Sequence, residues 1–273
     1  MSPAEARHRI FGVDFSGSKT ACNKIWISEA VIESDILRLR SCYPVKDIVP
    51  GKKKDRDSCL LALRSLISSN KDSVFGMDFP FSLPGKLLFT DDWESFVLGF
   101  AEKYASAEQF RSEMREFTQK KELKRLTDTE VKAPFCVYNL RLYRQTYFGI
   151  RDILLPLLRE DRACIIPMHE PEADKPWLME ICPASTLKKE GLYIPYKGKS
   201  NREKEAREHI LEKMEERGIL IKSSIKDSVI GNTDGDALDS ILAAFAVSKA
   251  IPQLEETLSS LQPIYLLEGH TFF

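Results

Sequence analysis

Two short apolar runs in this chain end in the same way. Phe11-Gly12-Val13-Asp14-Phe15 and Phe75-Gly76-Met77-Asp78-Phe79 are each suited to a strand buried on both faces, and each is closed by an aspartate. A third run, Trp177-Leu178-Met179-Glu180-Ile181, carries a further acid. A carboxylate at the end of a buried strand is costly to desolvate unless something compensates it. Taken singly, each acid could cap a helix or pair with an arginine. Taken together they would repel, and such a cluster persists as carboxylates mainly when a cation neutralises it.

The order of elements gives these runs a setting. Arg9–Phe15, Lys24–Val31 and Asp35–Cys42 read as an antiparallel meander, and the apolar spacing of Cys59–Ile67 predicts a helix before the strand Ser73–Asp78. From Phe81 to about Asp161 the chain is charged, aromatic and without strand alternation, so a helical insertion is expected over about 84–161. Trp177–Ile181 then runs into Pro183, which suits the first turn of a helix, and Asn201–Arg217 reads as an amphipathic helix ended by Gly218. The fold expected is α/β: a mixed central sheet with an antiparallel three-strand meander, flanked by helices, in one domain over 1–273.

The last helix supplies two more acids. Asp236 and Asp239 lie three apart, on one helix face, with Ala243, Ala246 and Ala250 continuing that side and Leu238, Ile241, Leu242 and Phe245 forming the apolar stripe beside it. Small residues below the acids would let the helix approach the sheet and carry both carboxylates toward Asp14 and Asp78. Thr233 and Asp236 also approximate a capping box, which would account for one of the two acids. A set of oxygen ligands without His or Cys suits Mg2+ or Mn2+. Two such ions about 3.5 to 4 Å apart could drive an in-line displacement at phosphorus. In that scheme Asp14 bridges the ions, Asp78 and Asp236 or Asp239 complete one each, and Glu180 adds a ligand or orients the water.

Overall charge offers no pull toward a polyanion, since 40 Lys and Arg stand against 41 Asp and Glu for a net charge of −1. A nucleic-acid partner must therefore meet a local basic patch. Lys120, Lys121, Lys124, Arg125 and Arg144 are candidates, interleaved with Phe135, Tyr138, Tyr143, Tyr147 and Phe148, a combination that can track phosphates and stack on bases; the same aromatics equally fit a core. The turn Ser16-Gly17-Ser18-Lys19-Thr20 could hold a phosphate on its backbone N–H groups, with Ser16 and Lys19 beside it, but lacks the spacing of a P-loop. His169 stands alone as a loop histidine. The six cysteines show no close pairing, so reduced, mostly buried thiols are expected. No uncharged run approaches the ~20 residues of a membrane span, and the N-terminus carries no apolar signal core. A cytoplasmic protein without a membrane partner is the expectation. A metal-stabilised binding or scaffold protein without turnover, and a phosphotransferase, remain alternatives.

The motifs FGVDFSGSKT, FGMDFPFSLP, MEICPAST, DGDALDSILAAFAV and EGHTFF, in this order, resemble a family of predicted ribonuclease-H-like nucleases, domain-of-unknown-function family 429. The segment Asp236-Ala237-Leu238-Asp239-Ser240 is also similar to the closing helix of Holliday-junction resolvases. The resemblance implies a ribonuclease-H-like fold, an acidic divalent-metal site at Asp14, Asp78, Glu180, Asp236 and Asp239, and phosphodiester hydrolysis.

Overall fold

The computed structural model describes residues 7–273. Among them are eight strands: β1 (Arg9–Asp14), β2 (Trp26–Glu33), β3 (Ile36–Pro44), β4 (Ser73–Met77), β5 (Cys164–Ile166), β6 (Trp177–Ile181), β7 (Ile219–Leu220) and β8 (Thr271–Phe272). They form one mixed sheet in the order β5-β6-β4-β1-β2-β3-β7, with β8 added to β6. β1, β2 and β3 are the antiparallel meander expected from sequence, and the other pairings are all parallel. The β2–β3 turn is two residues long, with positive φ at both Ser34 and Asp35, the backbone of a type I′ hairpin that follows the twist of the strands. β5, β7 and β8 escaped sequence reading because two or three residues are too few to show a period.

Alternation divides the core between the two faces of the sheet. Phe11, Val13, Phe75, Met77 and Leu178 point to one cluster, and Ile10, Val74, Trp177 and Met179 point to the other. The first face is covered by the helix Arg56–Ser69 and by the segment expected as an insertion, whose regular elements are all helices, joined by irregular stretches. Two of its helices, Trp93–Lys103 and Ala107–Phe117, begin at side-chain caps: Asp92 accepts from the Ser95 N–H at 2.7 Å and Ser106 from the Gln109 N–H at 3.0 Å. Tyr138, Tyr143, Tyr147 and Phe148 are buried in this cluster, so they are core residues rather than a platform for bases. Tyr143 and Tyr147 lie one turn apart on the inward face of the helix Tyr143–Gly149, while Tyr138 reaches the core from the irregular stretch before it.

The second face is covered chiefly by the helix Asp236–Ala250. The apolar helical run Asp236–Ser260 has the length and composition of a membrane span, yet most of it is buried in the protein. Its contact with the sheet is backbone against backbone. A Cβ added to Gly12 would lie 2.0 Å from the Ser240 carbonyl oxygen and 2.4 Å from the Ala244 nitrogen, and one on Gly76 would lie 2.8 Å from the Ala243 oxygen. The close-approach face therefore runs through Ser240, Ala243 and Ala244. The expected line down to Ala250 drifts out, leaving Ala250 half-buried.

Cys22 and Cys59 form a disulfide with Cα atoms 5.5 Å apart, joining the short helix Ala21–Lys24 to the helix Arg56–Ser69. This corrects the expectation of thiols throughout; Cys42, Cys136, Cys164 and Cys182 are free. The pair lies 37 residues apart, and only the packing of the two helices brings it together.

Gly12→Ala should be among the most damaging single-atom additions to the chain. A loss of at least about 3 kcal/mol is expected, because neither backbone can retreat as a side chain would. Gly231→Ala, at an exposed helical site with open space around it, should be neutral or slightly stabilising. Urea unfolding of the two variants measures the difference, and equal stabilities would refute the tight contact.

Candidate metal centre

The site begins at the paired ends of β1 and β4. Gly12 is in register with Gly76 and Val13 with Met77, and the Asp78 N–H donates to the Val13 carbonyl at 2.9 Å, so the pairing reaches one residue beyond the strand. Asp14 and Asp78 thus leave the sheet side by side. By alternation they share the face of Ile10, Gly12, Val74 and Gly76, beneath the helix Asp236–Ala250. Asp239, in the first turn of that helix, completes the group: one oxygen from each of Asp14, Asp78 and Asp239 lies within 4.8 Å of the others.

Two features that the sequence did not signal support this end of the sheet. The Gln145 side chain donates to the Phe15 carbonyl at 2.6 Å and to the Asp78 carbonyl at 2.9 Å, clasping both chain exits just past the acids. Gly17 meets the Arg144 carbonyl so closely that a Cβ would come within 2.2 Å of it. The helix Tyr143–Gly149 thereby presses the Phe15–Gly17 turn into place. Asp239 is itself held: Tyr196 donates its hydroxyl to Oδ1 and Lys197 its ammonium to Oδ2, each at 2.5 Å. Neither Tyr196 nor Lys197 stands in a motif, and only the fold brings them here.

Electrostatics follow from this crowding. Burial, and then the charges of Asp239 and Asp78, push the Asp14 carboxyl well above the usual range, with Lys197 offsetting part of the effect. Burial and Asp239 likewise push Asp78 up to about 7. Asp236 is raised to about 6, chiefly by burial, against the attraction of Lys24 and Lys197. Asp236 falls outside the close group. Its Oδ2 lies 3.6 Å from the Lys24 ammonium and accepts no hydrogen bond. The expected Thr233–Asp236 capping box is absent: Gly235 is the N-cap, and the Asn232 side chain accepts from the Ala237 N–H at 3.2 Å.

Glu180 is not a member of the centre, and the register gives the reason. It stands opposite Met77, one residue out of step with Asp78, so its side chain leaves the other face of the sheet. There it accepts from Arg125 Nη1 at 2.8 Å, the Phe81 N–H at 2.8 Å and the Thr271 hydroxyl at 2.9 Å. Arg125 also holds Asp128 at 2.7 Å and the Glu268 carbonyl at 3.1 Å. With 1% of its surface exposed, Arg125 ties the insertion, β6 and the C-terminal segment together and is not a surface contact for phosphate.

The remaining candidates are dispersed. Ser16 lines the cleft of about 520 Å3 into which the acids face; Lys19 is exposed outside it. Lys120 and Lys121 are exposed beyond the helix Ala107–Phe117, Lys124 donates to the Ala133 carbonyl at 2.6 Å, and Arg144 pairs with Glu108 at 2.8 Å. None of these four lines the cleft. His169 accepts from the Ile165 N–H at 3.2 Å, faces Glu94 at 3.1 Å and also lies outside it.

No family model, curated protein or solved structure matches the chain.

The residues fit a hard divalent cation. Only oxygen donors converge, and their mutual reach is comparable to the ~4.2 Å between opposite ligands of an octahedral Mg2+. Two outcomes follow from this geometry. Arg125→Met should cost about 3–5 kcal/mol by stranding Glu180, while the Arg125→Met/Glu180→Leu double variant should recover much of that loss in urea unfolding. No recovery would show that the pair is not the unit described. Because an ion needs carboxylates and Asp78 holds a proton up to about pH 7, Mn2+ affinity should rise as pH increases through that value, with protons released on binding. Calorimetry in buffers of different ionisation enthalpy reads that release; affinity unchanged between about pH 6 and 8 would contradict it.

Proposed function

We propose that this protein is a divalent-metal-dependent phosphodiester hydrolase with a ribonuclease-H-like fold, using Mg2+ or Mn2+ and acting on nucleic acid. The observation that carries the reading is the convergence of Asp14, Asp78 and Asp239 from two strand ends and a helix, with oxygens within 4.8 Å at one wall of a cleft. Such a cluster is favourable as carboxylates only with positive charge between them. A bound divalent ion would polarise a phosphoryl oxygen and yield hydroxide from water near neutral pH.

The rest of the chain is consistent with that assignment. The meander β1-β2-β3 beside parallel β4 and β6, with acids at the ends of β1 and β4 and on the helix Asp236–Ala250, supports that reading, whereas Glu180, which the resemblance also assigns to the site, lies on the other face of the sheet. The same cleft is lined by Phe135, Leu142 and the exposed Tyr193, apolar surfaces on which a base or sugar could rest while its phosphate meets the acids. Lys24 and Lys197 line the same cleft and supply positive charge for a polyanion.

Single-stranded, duplex, hybrid and branched DNA and RNA, incubated with Mn2+ or Mg2+, provide the test. Cleavage of at least one substrate by the native chain and none by Asp14→Asn, with unchanged circular dichroism, is expected. Full activity in that variant would remove the proposed centre from the reaction. Metal binding without cleavage of any member would leave a metal-stabilised binding protein.

A further inference from the structure

The acids of the cleft are not equally free. Asp236 faces Lys24, while Glu180 lies on the opposite face of the sheet among its own donors. Asp14 is different: 8% exposed and lining the cleft, its carboxyl donates to that of Asp78 and accepts from no nitrogen or hydroxyl donor among the described residues. Lys197 adds a second constraint, since its ammonium occupies Oδ2 of Asp239 at 2.5 Å and Tyr196 occupies Oδ1.

On the reading that the centre binds divalent metal, we propose that it takes one ion, held by Asp14, Asp78 and Asp239, and that the Lys197 ammonium stands in place of a second. Three carboxylates bring a charge of −3; Lys197 returns +1 and one divalent ion +2, so the sum is zero. The outer group, in which Lys24 meets Asp234 at 2.6 Å and Asp236 at 3.6 Å, adds two carboxylates and one ammonium and so lies outside this balance with a net charge of −1. A second divalent ion would leave the close group itself at +2. It would also have to share Asp239 with an ammonium already seated on that carboxylate, at contact range for like charges. The close group lacks the further carboxylate through which Asp236 or Glu180 could have served a second ion.

Calorimetric titration of the full chain with Mn2+, together with the electron paramagnetic resonance spectrum of the bound ion, decides the matter. One ion per chain with the isolated six-line spectrum is expected. In Lys197→Met and Lys197→Gln the first ion should bind at least about tenfold tighter, because a like charge has been removed from its neighbourhood. Two ions per native chain with a spin-coupled spectrum would overturn the single-ion inference and leave the metal centre standing. Weaker binding in both lysine variants would also overturn it, showing that Lys197 assists the ion rather than replacing one. If native chain and Asp14→Asn alike bind no Mn2+, the metal reading itself fails.

Discussion

The helix Asp236–Ala250 lies on β1 and β4 with its backbone against theirs, and the rest of the site depends on that contact. Gly12 and Gly76 are adjacent in register, and the absence of a side chain at both lets Ser240, Ala243 and Ala244 come to rest on the sheet. Two residues further along each strand stand Asp14 and Asp78, and one turn back along the helix stands Asp239. Had either glycine carried a methyl group, the helix would have stood off the sheet, and the third acid would have withdrawn from the other two. Close packing and carboxylate clustering are thus one geometric fact.

Clustering sets the electrostatic problem, which the protein answers differently on the two faces of the sheet. Around Glu180 the answer is internal: Arg125, a backbone N–H and a hydroxyl saturate it, so its charge is compensated within the fold. Around Asp14 and Asp78 little is offered beyond Lys197, and burial pushes both carboxyls upward. A folded chain that satisfies one buried acid fully and leaves two others short of donors has confined its electrostatic cost to one place. That place lines the cleft of about 520 Å3.

The helical segment between β4 and β5 has a structural role that its charge obscured. Its basic residues suggested a surface for nucleic acid, but its aromatics fill the core beneath the sheet, Arg125 braces β6, and Gln145 clasps the chain exits after β1 and β4. A helix that presses the Phe15–Gly17 turn and holds Asp78 from behind helps keep two repelling carboxylates adjacent.

Sequence alone determined the mixed α/β pattern, the meander, the helical segment and the placing of Asp14 and Asp78 at strand ends. Each is local: apolar runs of strand length, turn residues and helical spacing are written in consecutive positions. It also marked Asp239 as a candidate, through its spacing from Asp236. Tertiary structure decided which acids meet. Glu180 resembles Asp14 and Asp78 in sequence, yet a register offset of one residue against β4 turns it to the other face, and no local signal carries strand register. The same holds for Lys197, Tyr196 and Gln145, and for the Cys22–Cys59 pair: their partners lie far along the chain, so their roles exist only once the sheet and its covering helices have packed.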